Sequence, residues 1–244
     1  MKASPEVQKQ LLTLQSVDNR LQQLDHAQRS LPEHATIRDL QGTMSGIRRE
    51  LAVRSGAVED ARTELTRTES DVAVVEARIQ RDQQRLAATT SVKDAQGLEH
   101  ELASLQRRRN DLEEIQLTVM ERLEELEGAL AEIVGERDRV QDAVSAAEAA
   151  RDAAVNDLRA ERNRVADDRA ALLPMFPDEL IDLYERQRAR YGIGAALLRG
   201  GVSLGSNVRL TGSDLDIVRR AAPDDVVICP DSSAILIRTE ESGI

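Results

Sequence analysis

Apolar side chains recur at every seventh position over one long stretch of the chain. The series has eight members, and all are apolar: Ile37, Met44, Leu51, Val58, Leu65, Val72, Ile79 and Leu86. The positions three residues later are mixed, since Arg54, Thr68 and Asp82 occur among them. A seven-residue repeat is typical of a helix that packs along a narrow seam. The pattern therefore predicts a long helix that needs a partner.

A second apolar series supplies that partner. Its members are Leu98, Leu105, Leu112, Val119, Leu126, Ile133, Val140, Ala147 and Ala154. The polar segment between the two series is poor in helix formers, which favours a turn. Facing residues of an antiparallel pair have numbers with a constant sum, and Leu86 with Leu98, like Ile37 with Ala147, sums to 184. The two series thus predict a helical hairpin in a defined register, with its tip near residues 89–94.

The N-terminal segment predicts one more helix. Leu11, Leu14, Leu21 and Leu24 follow at helical spacing, and the pattern stops near Pro32. We expect this helix to pack on the late stretch that carries Leu158, Val165 and Leu172. The hairpin domain would then comprise residues 1–170.

The pattern changes at the prolines at positions 174 and 177. A linker over 171–192 should contain a short helix from Asp178 to about Ala189. Beyond it, short apolar runs at 195–198, 207–211, 226–228 and 234–237 predict strands, with a helical turn at 213–221 that begins at Ser213 as its N-cap. The predicted fold class is mainly α, a long antiparallel coiled-coil hairpin followed by a small α+β module over 193–244.

Composition narrows the range of functions. Only three of the 244 residues are aromatic and 32% are charged, which is typical of long helices rather than of a large enzyme core. The net charge of −11 opposes indiscriminate attraction to nucleic acid or anionic lipid. No apolar run reaches the length of a membrane span or signal peptide, so we expect a cytoplasmic protein that does not enter membranes. Cys229 is the single cysteine.

Several segments together resemble a bacterial family of coiled-coil hairpin proteins that end in a four-cysteine zinc ribbon. The segments are the hairpin with Lys93-Asp94-Ala95 at its tip, the link Leu180-Ile181-Asp182-Leu183-Tyr184-Glu185-Arg186, and the tail runs Leu198-Arg199-Gly200-Gly201 and Cys229-Pro230-Asp231-Ser232. The resemblance implies a zinc-ribbon-like fold for the C-terminal module. It also implies adaptor or chaperone work and contact with RNA.

The chain departs from this family at the metal ligands. Where the family has two Cys-x-x-Cys pairs, this sequence has three serines and one cysteine: Ser203, Ser206, Cys229 and Ser232. A serine hydroxyl is a poor zinc ligand, and structural zinc sites use thiolate or imidazole. One alternative is a rebuilt site with Cys229, Asp231 and Asp214. The other, which we favour, is a degenerate ribbon that has lost its zinc, so no cofactor is expected.

No catalytic constellation is recognisable. The histidines His26, His34 and His100 lie in helical segments and are read as solvated, and Cys229 has no histidine in its module to act as a base. The glycines near residues 192–201 lack the context of a phosphate-binding loop. We therefore expect a protein that is not an enzyme.

Arginine supplies thirty of the 33 cationic side chains, and its planar fork suits phosphate binding and base stacking. Pairing with neighbouring carboxylates is the alternative interpretation. The nucleic-acid-binding candidates, of which the linker arginines, Tyr191 and Arg199 could share one face, are Arg186, Arg188, Arg190, Tyr191, Arg199, Arg219 and Arg220.

Two functional hypotheses remain. The first is a monomeric coiled-coil adaptor or chaperone-like scaffold that binds a protein partner. The second is an RNA-binding protein that uses the linker arginines and the ribbon-like module, with weak affinity because the chain as a whole is acidic.

Overall fold

The computed structural model describes residues 1–243. Helices take up most of them: α1 (Pro5–Arg29), α2 (Glu33–Ala88), α3 (Val92–Leu172), α4 (Asp178–Tyr191) and α5 (Gly212–Arg220). The strands are short: β1 (Ala195–Arg199), β2 (Val202–Ser203), β3 (Val208–Arg209), β4 (Val227–Ile228) and β5 (Ile235–Ile237). Two 3₁₀ turns occur at Leu173–Met175 and Glu240–Ser242. The long hairpin and the small C-terminal strand module are both confirmed.

The chain divides into two compact units. Glu33–Ala149 forms one, called the arm here, and Met1–Pro32 with residues 150–243 forms the other, called the terminal unit. The sequence placed α1 and the whole hairpin together in residues 1–170. In the structure α1 and the last turns of α3 instead share a core with the C-terminal module, since side chains from α1, α4 and the strands are buried together.

The seam of the arm follows the two heptad series. No member of either series is exposed. At the tip, α2 ends at Ala88 and α3 begins at Val92. Non-helical residues are therefore 89–91, fewer than the predicted 89–94. The hydroxyl of Ser91 accepts from the backbone N–H of Asp94 at 3.4 Å, which allows α3 to begin immediately.

Polar contacts across the arm agree with the predicted register. Arg54 donates to the carbonyl of Ala129 at 2.7 Å, and their numbers sum to 183. Arg62 donates to Glu127 at 2.7 Å, with a sum of 189. Long arginine side chains reach a few residues along the partner helix, so these sums lie on both sides of 184. The partly exposed arginine at this seam position, Arg54, thus has a main-chain acceptor across the arm.

The C-terminal module is a five-stranded sheet in the order β3-β2-β1-β5-β4. Strands β1 and β5 are parallel, with Ala195 opposite Ile235, and the other pairs are antiparallel. The sequence did not predict β2, which lies between the glycines at 200–201 and 205 and not in an apolar run. The N-cap of α5 is Thr211, two residues before the predicted Ser213, and its hydroxyl accepts from Asp214 N.

The two faces of the sheet bury different clusters. One cluster joins the strands to α1 and α4 through Leu11, Leu14, Leu180 and Tyr184, together with Ile235 and Ile237. The cluster on the other face consists of Leu198, Leu210, Val218, Cys229 and Leu236. Alternation along β5 explains the division, because successive side chains of a strand point to opposite faces. Tyr184 of α4 thus packs directly against the strands of the module.

Candidate functional site

The four predicted ligand positions lie in two matching turns of the module. Ser203 ends β2 and Ser206 lies in the turn that leads to β3, while Cys229 follows β4 and Ser232 lies in the turn before β5. In each turn the residue after the second ligand position has positive φ, 55° at Asn207 and 58° at Ser233. The two turns therefore share a backbone conformation as well as their sequence spacing.

The two turns meet through a thiol and a hydroxyl. Cys229 Sγ donates to Ser203 Oγ at 3.3 Å, and both side chains are fully buried. Burial alone would raise the pKa of Cys229, but the thiolate form would accept hydrogen bonds from Ser203, Ser232 and the backbone, which lower this pKa below its ordinary value. The hydroxyl of Ser206 accepts from Val208 N and that of Ser232 from Ala234 N, each at 3.4 Å.

This donor set does not fit a structural zinc ion. Three of its four members are neutral hydroxyls, each with a hydrogen-bond partner, and only the Cys229 thiol could become a strong zinc ligand. Within residues 1–243, no group of three or more His, Cys, Asp or Glu side chains is placed to hold a metal. The alternative site with Asp231 and Asp214 is not assembled, since Asp214 instead accepts from the Thr211 hydroxyl at 2.5 Å.

The arginine candidates do not share one face. Arg188 points into the terminal unit, where its guanidinium lies 3.4 Å from Asp18 and 2.6 Å from Glu185. Its position two residues from Arg186 and from Arg190 places it on a different side of α4. Arg188 therefore does not share a face with Arg186 and Arg190, because the buried Asp18 and the partly exposed Glu185 hold it.

The outer side of α4 keeps an arginine–aromatic pair. The Arg190 guanidinium lies 5.3 Å from the centre of the Tyr191 ring, a cation–π distance, and Arg186 is exposed one helical turn earlier. Over residues 1–243, neither arginine has a carboxylate within ion-pair distance. The remaining candidates lie elsewhere. Arg199, at the end of β1, pairs with Glu241. On α5, Arg219 pairs with Asp216 and Arg220 is exposed.

A buried polar network that the sequence analysis missed connects α1, α3 and α4. Tyr184 donates its hydroxyl proton to Asp18 at 2.7 Å, and Arg169 donates to the other oxygen of the same carboxylate at 2.7 Å. Asp18 and Tyr184 are both fully buried. Gln15 accepts from Gly194 N at 2.7 Å and from Ala195 N at 3.1 Å, which fixes the entry to β1. The available signal was Asp18 itself, a charged residue four positions after Leu14 in an apolar stripe.

The arm presents a charged outer surface on α3. Residues 110–136 contain nine carboxylates and one arginine, Arg122. Glu114, Glu121, Glu125 and Glu132 follow at spacings of seven and four, which places them on one helix face. Leu117 lies among them and is 61% exposed. We call these five residues the acidic face, and among the described residues none of its four glutamates has an ion-pair partner.

A model described as the CT398-like coiled coil hairpin domain matches residues 14–192. The chain belongs to this family. Its match ends before β1, so it covers the arm, the linker and most of α1 but not the strand module.

Whole-chain comparisons place this hairpin protein near mycobacterial relatives. It is 34% identical to protein Rv2229c of Mycobacterium tuberculosis over 241 residues, 98% of each chain. It is 26% identical to protein ML1638 of Mycobacterium leprae over 223 residues, 91% of this chain and 96% of that one. A solved structure from Mycobacterium smegmatis has 36% identity and a TM-score of 0.88, and the alignment covers 98% of this chain and 100% of that one.

More distant structures share the fold. CT398 from Chlamydia trachomatis superposes with a TM-score of 0.65 at 19% identity, over 95% of this chain and 97% of that one. The HP0958 protein from Helicobacter pylori gives 0.51 at 14% identity, over 96% and 98%. None of the helices in residues 1–243 is both long enough and apolar enough to cross a bilayer.

Proposed function

We propose that the protein is a non-enzymatic, monomeric adaptor that binds a protein partner along the arm. The acidic face of α3 is the observation that carries this proposal. Its glutamates have no ion-pair partners within the described chain, and Leu117 beside them is 61% exposed. The arm already buries its own seam, so a second copy is not needed to cover the heptad positions.

The chemistry of the face selects the kind of partner. Unpaired glutamates at helical spacing attract a segment rich in lysine or arginine, and they increase the rate at which it associates. The exposed Leu117 adds an apolar contact, which favours a partner segment with an apolar side chain over one that is only charged. The partner would thus be a basic protein segment that carries at least one apolar side chain.

The experiment compares the proteins captured from the native cell by two charge-reversal variants. In the test variant, Glu121→Lys and Glu125→Lys are combined with Leu117→Gln. The control variant carries Glu69→Lys and Glu76→Lys, two exposed glutamates of α2. We expect the test variant to lose a partner that both the control and the original chain retain. Recovery of this partner by the original chain should fall as salt is raised. Equal recovery by the two variants would refute the assignment to this face.

RNA binding is the second candidate function, and the Arg190–Tyr191 pair favours it. An arginine stacked beside an aromatic ring can hold a phosphate and an unstacked base together, which suits single-stranded RNA. Because the net charge is −11, affinity should be weak, on the order of micromolar or poorer at physiological salt.

Anisotropy measurements with a labelled single-stranded RNA test this candidate. Arg186→Ala combined with Arg190→Ala should abolish binding, while Arg219→Ala with Arg220→Ala on α5 should leave most of it. The reverse pattern would move the site to α5. Absence of binding to the original chain at low salt would remove this candidate and leave the protein partner alone.

A further inference from the structure

The strand module has the layout of a four-ligand metal site but not its ligands. The turns at 203–206 and 229–232 have the same spacing, and each is followed by a residue of positive φ. They are in direct contact, since a Cβ built on Gly205 would lie 2.9 Å from Ser232 Oγ. Cys229 and Ser203 are hydrogen-bonded at the centre of this contact. A group that bridges the two turns is therefore already present.

We infer that the module folds without a metal ion. The Cys229–Ser203 pair and the apolar side chains around it fill the centre that a zinc ion with four thiolate ligands would occupy. Leu198, Leu210, Val218 and Leu236 are buried against Cys229. They come from β1, the β3–α5 connection, α5 and β5, so four separate segments of the module close this centre. The hydrophobic effect acts here where a metal site would rely on coordination.

Hydrogen bonds outside the two turns also hold the module together. Arg238 donates to the carbonyls of Ala221 at 2.9 Å, Ala222 at 2.7 Å and Asp225 at 2.7 Å, and so joins β5 to the segment after α5. The N-terminal segment pairs with that same segment, since Ala3 N donates to Asp224 O at 2.8 Å. These hydrogen bonds, with those of Gln15 to the start of β1, attach the module to the helices of the terminal unit.

The first test uses the full-length protein as purified. We expect elemental analysis to find no stoichiometric zinc. The melting temperature should also remain the same with and without EDTA, because no metal ion contributes to the folded state. A content of about one zinc per chain, or a melting temperature that falls on chelation, would overturn the inference.

The second test restores the missing thiolates. A variant with Ser203→Cys, Ser206→Cys and Ser232→Cys should bind one Co²⁺ per chain with the visible absorption of tetrahedral thiolate cobalt, and Zn²⁺ should displace it. The matched control places three cysteines at exposed helical serines, Ser45→Cys, Ser55→Cys and Ser145→Cys, and should show no such spectrum.

The two tests separate the parts of the inference. If the restored variant folds, as judged by its circular dichroism, and binds no Co²⁺, the turns do not converge as described and the inference fails. If it does not fold, the zinc content and chelator response of the original chain still decide whether a metal stabilises the module. Neither result depends on the acidic face of the arm, so failure here leaves the proposed adaptor function untouched.

Discussion

Removal of one hydroxyl from the centre of the terminal unit should destabilise the protein measurably. In Tyr184→Phe, Asp18 loses the donor that lies 2.7 Å from its Oδ2 atom. Water cannot take the place of that donor, because both side chains are fully buried. The carboxylate keeps Arg169 at 2.7 Å on its other oxygen, so the ion pair survives while one lone pair is left unsatisfied.

The magnitude follows from the charge and the burial. A hydrogen bond to a charged group contributes about 1.5–3 kcal/mol, and loss of a buried partner exposes the full desolvation cost of the group left behind. We expect Tyr184→Phe to lower the free energy of unfolding by about 2 kcal/mol. For a chain of this size that corresponds to a fall in melting temperature of roughly 4–8 °C.

Urea unfolding followed by circular dichroism measures this change, with Tyr191→Phe as the matched control. Tyr191 is exposed, so its hydroxyl exchanges with water and its loss should change the free energy of unfolding by less than about 0.5 kcal/mol. In an Asp18→Ala background the effect of Tyr184→Phe should largely disappear, because the acceptor is gone. If Tyr184→Phe costs no more than Tyr191→Phe, or costs the same without Asp18, the network is not stabilising as described.

The contact between Tyr184 and Asp18 should also make the free energy of unfolding depend on pH. Burial, and then the hydrogen bond to Asp18, raise the pKa of Tyr184 above its ordinary value of 10.0. The neutral phenol is thus favoured in the folded state, and its contribution to stability is complete below pH 10.0 and is lost as pH rises beyond that value. Above pH 10 the free energy of unfolding should fall more steeply for the original chain than for Tyr184→Phe.

Two further predictions concern the arm and the start of the sheet. In a chain whose native cysteine is replaced by serine, cysteines at Leu65 and Val119 should crosslink readily. Cysteines at Leu65 and Leu112 should not, since seven residues of helix displace them by about 10 Å; efficient bridging of the second pair on a non-reducing gel would contradict the register. Gly194→Ala should lower the melting temperature sharply, because its Cβ would lie 2.4 Å from the Tyr184 ring; an unchanged melting temperature would mean that the ring can move aside.

The heptad seam of the arm could be read from the sequence alone. Every position of the two series is at least partly buried in the structure, and the cross-arm contacts lie near the predicted sum. This success has a local cause. A helix repeats its faces every few residues, so which side chains turn inward depends on neighbours in the sequence, and an antiparallel pair adds only one unknown, the register.

Polar partners could not be read in the same way. Arg186, Arg188 and Arg190 look alike in the sequence, yet Arg188 meets Asp18 in α1 while the other two remain at the surface. Within α4, Arg188 has Glu185 three residues before it, but α4 alone does not show which side of the helix the core occupies. That side was decided by the packing of α1 and α3, which bring Asp18 and Arg169 to α4 from distant parts of the chain.

The C-terminal module shows most clearly which features the sequence determines and which only the tertiary structure decides. Its short strands and the spacing of Ser203, Ser206, Cys229 and Ser232 were visible in the sequence, but the parallel pairing of β1 with β5 and the hydrogen bond between Cys229 and Ser203 were not. The local pattern determines which segments are helices and which face of each is apolar. Only the tertiary structure brings distant polar atoms within 3.3 Å of one another, because each such contact depends on the packing of every element between them.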